Sequence, residues 1–447
     1  MPHQKLRRRR PDAPRRAAYR ILRAVTAEGA YANLETSRVL EESRFDHRDA
    51  AFVTELVFGT CRLQGTYDAI LRAASGRDGF DAPLADALRL GAHQILGMRV
   101  ANHAAIAATV ELAAAEVGER VAGITNAVLR KVAARDLEDW TAELVQGLDP
   151  ADALAVRTHP PRWIVDAYAD VLGDEAPSAL RANNIAPVPH LVVRPGLAEI
   201  DELDGEPDLI SPFGARRWGN PAEVPAVREG RAGVQDVGSQ LVTWALARAE
   251  APRGPWLDLC AGPGGKAALL AGLARQQGSR LLASELQPHR ARLVAQALRA
   301  YPEPHRPVVL AADGTRPAWR PGILARVLAD VPCTGLGALR RRPESRWRRT
   351  PDDLAALVPL QRALLGSALD AAAPGGVVAY VTCSPHRAET SGVVDAVVAA
   401  RDDVTVSSAP AHLPEIEDAA VGDYLQLWPH RHGTDAMFLA LLRKNGN

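Results

Sequence analysis

Apolar positions recur at two different periods along this chain, and the change of period divides it. From about Arg15 to Leu148 the spacing is helical: Ala18, Ile21, Leu22 and Val25 share one face, as do Phe52, Leu56 and Val57, then Leu88, Ile95 and Leu96. Residues 104–117 are alanine-rich with Ile106, Val110 and Val117 on one side, and Gly76, Gly79, Pro83, Gly118 and Gly123 punctuate the segments. The pattern predicts an all-helical domain over residues 1–148. At Asp149-Pro150 the character changes: His159-Pro-Pro-Arg-Trp163 introduces a short helix to about Leu172, 187–193 reads as a strand, and 211–231 as loop with short strands. Residues 149–235 are therefore expected to form a small mixed connector.

From Val234 onward short apolar runs alternate with helical segments, the signature of a parallel sheet covered on both faces. Strands are predicted at 256–260, 281–285, 308–312, 323–330 and 377–383. Helices are predicted at 266–276, 288–300, 351–373 (ended by Pro374-Gly375-Gly376) and 390–400. Two late apolar stretches, 424–428 and 437–442, have no helix between them and predict an antiparallel pair at the sheet edge. That ending suits a methyltransferase sheet better than a dinucleotide dehydrogenase. The expected fold class is α/β, with residues 236–447 as a doubly wound, Rossmann-like domain.

Within that domain, Trp256-Leu-Asp-Leu-Cys-Ala-Gly-Pro-Gly-Gly-Lys266 reads as strand, glycine turn and helix start. Such a loop turns backbone N–H groups toward a ligand at the positive end of a helix dipole. Ligands of these sheets bind beyond the carboxyl ends of the strands, and an acid stands at each of the first four: Asp258, Glu285, Asp313 and Asp330. Glu285 is placed to accept from ribose hydroxyls and Asp313 from an adenine amino group. Singly, each could be a turn or helix-cap carboxylate; as an ordered set they predict a nucleotide cofactor.

A chain of 447 residues, 47% hydrophobic and 24% charged, can bury a sizeable core. No apolar run reaches about 18 residues, so no membrane span is expected. The basic start lacks an apolar segment behind it, and no secretory signal is expected. Cys61, Cys260, Cys333 and Cys383 are too scattered for a disulfide framework or paired zinc knuckles, so reduced thiols, a cytoplasmic setting and no metal are expected. The formal net charge is zero. Arginine clusters nonetheless at 7–10 with Arg15 and Arg16, and again at Arg340, Arg341, Arg342, Arg346, Arg348 and Arg349. Such runs usually mark a solvated face; the second, just past Cys333, is the better candidate for phosphate contact.

Cys61 and Cys260 sit within predicted elements and read as small hydrophobes. Cys333 and Cys383 fall just past strand ends, where nearby cations favour a thiolate. A thiolate added to carbon 6 of a pyrimidine makes carbon 5 nucleophilic, chemistry that also needs an acid near N3 and a base for the carbon-5 proton. The residues alone do not rank the two thiols.

Asp330-Val-Pro-Cys-Thr-Gly335, Thr382-Cys-Ser-Pro385 and Leu257-Asp-Leu-Cys-Ala-Gly-Pro-Gly-Gly-Lys266 together resemble the RNA 5-methylcytosine methyltransferases. Gln235-Asp-Val-Gly-Ser-Gln240, Gly433-Thr-Asp-Ala-Met-Phe438 and Leu339-Arg-Arg-Arg-Pro-Glu-Ser-Arg-Trp347 resemble further motifs of that family. Glu55-Leu-Val-Phe-Gly-Thr60 and Asn126-Ala-Val-Leu-Arg-Lys131 resemble the RNA-binding fold of the NusB antitermination factor, a fusion typical of the bacterial RsmB (Sun) subfamily. The resemblance implies S-adenosylmethionine as cofactor and a cytosine of small-subunit ribosomal RNA as substrate. It implies Cys383 as nucleophile, Cys333 in product release, Asp330 at N3 and Lys266 near the target base. For the cofactor it implies Glu285 at the ribose, Asp313 at the adenine, and the loop Cys260, Ala261, Gly262, Pro263, Gly264, Gly265 and Lys266, with Arg290 and Asp330 nearby. Two departures stand out: Glu389-Thr390 where the subfamily often has Glu-Asn, and Thr334-Gly-Leu-Gly337 where Ser-Gly-Thr-Gly is common. Trp347 is open to stacking on an RNA base or to anchoring its loop, and His386 is expected to be a bland surface group. The alternatives are the same reaction on transfer RNA, which the NusB-like domain disfavours, and an antitermination protein with a degenerate methyltransferase fold, which the intact thiols disfavour. A monomer is expected.

Overall fold

Asp46 caps the longest helix, His47–Ser75, by accepting the Asp49 N–H, and Gly76 ends it in the left-handed region at φ 69°. Its apolar face (Leu56, Val57, Ile70) packs on Ala13–Ala27 through Ile21 and Leu22 and on Ala82–Leu96 through Leu88, giving a helical core. The computed structural model describes residues 11–303 and 306–446; the expected basic run at 7–10 lies outside them. Arg15 and Arg16 are engaged within the helices, Arg15 with Gln94 and across the Phe52 ring, Arg16 with Glu116.

The chain divides in space differently from its reading along the sequence. One unit comprises the chain up to Asn184 together with Leu339–Arg349; the other comprises Ile185–Ala338 and the chain from Thr350 on. The expected connector is thus split. Its helices Pro150–Thr158, Arg162–Leu172 and Ala176–Ala182 belong to the helical unit. Its remainder forms a four-stranded antiparallel sheet, ordered Glu206–Pro207, Gly214–Arg216, His190–Val193, Ala232–Val234, in the second unit.

The arginine-rich segment departs furthest from expectation. Arg346 is 1% exposed and its guanidinium donates to Arg62 O at 3.2 Å, Asn183 O at 2.8 Å and Asn184 Oδ1 at 2.7 Å. Trp347 donates from Nε1 to Cys61 O at 2.6 Å and lies over Gly65, where a Cβ would come within 2.3 Å of the indole. These two side chains anchor the segment in the helical unit instead of offering phosphate or base contacts. Apolar periodicity cannot show this, because the binding groups are backbone carbonyls and one side-chain amide.

In the second unit the large sheet has strands β1 (Trp256–Asp258), β2 (Leu281–Glu285), β3 (Val308–Ala311), β4 (Leu324–Asp330), β5 (Ala372–Thr382), β6 (Val404–Ser407), β7 (Ala420–Val421), β8 (Tyr424–Gln426) and β9 (Phe438–Lys444). Strands β3-β2-β1-β4-β5 run in that order and in parallel. β9 adds antiparallel to β5, and β8 and β6 pair antiparallel with β9. Pro374-Gly-Gly376 opens β5 rather than ending the preceding helix, which stops at Ala371. That helix, Pro351–Ala371, is long and apolar enough to cross a membrane, yet Leu364, Leu365, Ala368 and Leu369 are buried against β4 and β5 as a core helix.

Candidate active site

Parallel pairing aligns the strand ends at one edge: Asp258 opposite Leu328, Glu285 opposite Ala311 and Asp330 opposite Val381. The crevice side of the sheet therefore carries the predicted acids together, with β1 and β4 flanking the point where strand order reverses.

Between β1 and the helix Gly265–Gln276 the loop 261–265 passes close to Glu285. A Cβ on Gly262 would come within 2.1 Å of Glu285 Oε2, and one on Gly264 (φ 115°) within 2.6 Å of Ala297 Cβ. Glu285 is 4% exposed and accepts the Gly262 N–H at 3.1 Å and the Gln287 N–H at 2.9 Å, with lone pairs to spare for a diol. Arg290 donates to Gly262 O at 2.7 Å and so braces the loop. At the end of β3, the Thr315 N–H and then its hydroxyl hold the Asp313 carboxyl below its usual range, ready to accept. Burial drives the Cys260 thiol well up, with the Asp258 charge adding, and it is inert. The glycine loop and the acids at these strand ends fit S-adenosylmethionine.

Lys266, at the start of that helix, reaches Asp330 with Nζ to Oδ2 at 2.7 Å. Burial works against the ammonium, but the Asp330 charge and hydrogen bond outweigh it and the Cys383 thiolate adds, so its pKa is raised. Beyond β4 and β5, Cys333 Sγ lies 3.5 Å from Cys383 Sγ, although the residues are 50 apart in sequence. The hydrogen bond with Cys383, then burial, then the charges of Cys383, Glu389 and Asp330 push the Cys333 thiol well up. The Lys266 ammonium and Cys383 thus act on each other, while the charges of Glu389 and Asp330 act on Cys333. His386 accepts the Ala388 N–H on Nδ1 and caps a short turn, a local structural role.

Asp258 is sealed in the core, and burial, then the Asp330 charge, raise its pKa to about 8, against the pull of Lys266 and the Cys260 N–H. Its folded value lies above its unfolded one. Stability from the proton is accordingly full below about pH 4 and is lost as pH rises through about 8. Asp258→Asn, which keeps the shape of the protonated acid, should flatten this decline. Melting temperatures of both proteins between pH 5 and 9 check it, and parallel profiles would refute it.

Two residues escaped the sequence reading. Gln235 is 7% exposed with both amide atoms unpartnered among the described residues, and its side chain lies about 4.0 Å from where a Cβ on Gly265 would stand. Glu389 is wholly buried beneath the Cys333 turn. The motif around Gln235 and the departure at Glu389-Thr390 were the available signals. Two clefts of about 310 and 520 Å³ lie in the helical unit, one beside Asn102 and Arg135, the other beside Arg157 and His159, and neither includes any of these groups.

A 3-2-1-4-5 parallel sheet with an antiparallel strand beyond β5, a glycine loop after β1 and acids at the following strand ends define an S-adenosylmethionine-dependent methyltransferase. Residues 244–443 match the family described as 16S rRNA methyltransferase RsmB/F, and residues 12–134 match the NusB family. A putative methyltransferase of Mycobacterium tuberculosis is 48% identical over 98% of both chains. The ribosomal RNA small subunit methyltransferase B of Xanthomonas campestris is 32% identical over 97% of both. Among solved structures, the protein PH0851 has a TM-score of 0.80 at 21% identity, covering 98% of this chain and 100% of its own. A methyltransferase homolog from Pyrococcus horikoshii has a TM-score of 0.54 at 22% identity, covering 66% of this chain and 100% of its own. The chain belongs to the RsmB/F methyltransferase family, with a NusB-family region at its helical end.

Proposed function

We propose that this protein methylates carbon 5 of a cytosine in 16S rRNA through a covalent bond between Cys383 and carbon 6. The observation that carries the reading is the pair of thiols 3.5 Å apart, with the Lys266–Asp330 pair acting on them. The Lys266 ammonium favours the Cys383 thiolate, which forms the C6–S bond. N3 takes up the proton that Lys266 Nζ and Asp330 Oδ2 hold between them. Carbon 5 becomes the nucleophilic end of an enamine. S-adenosylmethionine, held through Glu285, Asp313 and the loop with Cys260 and Arg290, supplies the methyl group. The Cys383 charge that kept a proton on Cys333 is then used up in the C–S bond and the ring is cationic. Cys333 gives its proton to solvent and takes the one on carbon 5. Cys383 leaves as thiolate, N3 returns its proton to the Asp330 pair, and the methylated base is free. The target must be unstacked to reach these groups, and the NusB-like helices supply contacts to the RNA backbone.

The test is a denaturing gel of Cys333→Ala and Cys383→Ala after incubation with 16S rRNA and S-adenosylmethionine. Cys333→Ala should trap a protein–RNA adduct and Cys383→Ala should not. The reverse pattern would exchange the two roles, and no adduct in either would overturn the covalent route.

A further inference from the structure

Glu389 is buried completely, yet its hydrogen-bond partners are all neutral. Oε1 accepts the Thr334 N–H at 2.8 Å and the Gln361 amide at 2.9 Å, and Oε2 accepts the Thr334 hydroxyl at 2.5 Å. The same Gln361 amide also donates to Pro332 O at 2.9 Å, so the turn is held on both sides of Cys333. Tyr380, itself fully buried, donates to Glu389 O at 2.7 Å and fixes the backbone beneath. Thr334 Oγ1 lies 3.2 Å from Ser384 Oγ, which ties the Cys333 turn to the residue after Cys383.

None of this geometry requires a charge. A glutamine could accept the Thr334 N–H and the Gln361 amide on its oxygen and donate to the Thr334 hydroxyl with its nitrogen. Burying a carboxylate among neutral donors costs more than burying an amide. What the charge adds is a field one residue from Cys333, opposite in sign to the Lys266 charge that acts on Cys383.

We propose that Glu389 is a positioning residue that sorts the two thiols: its carboxylate pins the turn at Thr334 and sets negative charge beside Cys333, leaving attack to Cys383. This rests on the covalent reading above, and its test needs neither RNA nor cofactor. Cys333 alkylation by iodoacetamide is followed by peptide mass spectrometry between pH 6 and 10 in the full chain, its Glu389→Gln variant and its Cys383→Ala variant. Glu389→Gln should alkylate at Cys333 about 10-fold faster at pH 8, with the profile displaced to lower pH and the melting temperature little changed. Cys383→Ala, which keeps Glu389, should leave Cys333 slow compared with Cys383 in the unaltered protein. An unchanged Cys333 profile in Glu389→Gln would overturn the charge role and leave a neutral clamp. Should Glu389→Gln fail to fold, the Cys383→Ala profile decides alone: a Cys333 as reactive as Cys383 in the unaltered protein overturns the proposal. A chain that passes this test yet traps no RNA would contradict the covalent reading and not the sorting of the thiols.

Discussion

Cys383→Ser should lower methyl transfer at least about 10⁴-fold while leaving the affinity for S-adenosylmethionine within a few-fold of the unaltered protein. A serine hydroxyl keeps the shape but is not ionised by a nearby ammonium at neutral pH, so the C6 bond does not form. The cofactor affinity is expected to persist because Glu285 is held by the Gly262 and Gln287 N–H groups and Asp313 by the Thr315 N–H, contacts that do not involve Cys383. Single-turnover methylation of 16S rRNA and calorimetric titration of the cofactor separate the two quantities. Turnover within 10-fold of the unaltered protein would remove Cys383 from the nucleophile's role. Loss of cofactor binding in step with activity would instead mean that the substitution had disturbed the whole crevice.

Gly337→Ala should also damage the enzyme, and its stability as well, although the glycine carries no chemistry. Gly337 donates its N–H to Cys383 O at 2.8 Å and accepts the Ala436 N–H at 2.9 Å. It thereby joins the Cys333 turn, the Cys383 loop and the Gly433-Thr-Asp-Ala-Met stretch. A Cβ there would come within 2.1 Å of Ala436 O and 2.9 Å of Cys383 O, both backbone atoms that no rotamer change can move. Relief requires the two thiol-bearing segments to separate. The expected cost is about 3 kcal/mol of stability, at the upper end for overpacking, and about 100-fold in methyl transfer, the effect of roughly 1 Å of misplacement. Denaturant unfolding and methylation rates measure the two, and a variant with unaltered rates would show that the thiol separation is not held through this contact.

Much of the crevice was legible because it obeys strand periodicity. Acids at the ends of β1, β2 and β4 and just past β3 could be counted along the chain, and parallel pairing had to bring them to one edge. The Lys266–Asp330 contact spans 64 residues, and the resemblance supplied both residues without their distance. What escaped was held by polar contacts that leave no period. Glu389 looked like the first half of a departing dipeptide, because the Thr334 N–H and the Gln361 amide that give it meaning lie 55 and 28 residues away. Arg346 looked like part of a basic surface and Trp347 stayed open between stacking and anchoring, since sequence shows a side chain's charge and not whether carbonyls await it. The strand through Pro374-Gly-Gly376 was hidden for another reason. Proline and glycine ordinarily break elements, but here they begin an irregular first turn of β5, where a Cβ on Gly376 would meet Ala373 O at 2.8 Å and Leu324 O at 2.9 Å.

The excursion of Leu339–Arg349 into the helical unit bears on how the protein is made. Domains usually fold in the order in which the ribosome delivers them, amino-terminal first. Here the helical unit is incomplete when its helix Ala176–Ala182 has emerged, because the guanidinium that meets the Arg62 and Asn183 carbonyls and the indole over Gly65 have not yet been translated. Those side chains arrive only after β1 to β4 and the Cys333 turn are already outside the ribosome. Completion of the first unit therefore waits on synthesis of more than half of the second, and the nascent chain must keep an empty socket from aggregating in the meantime.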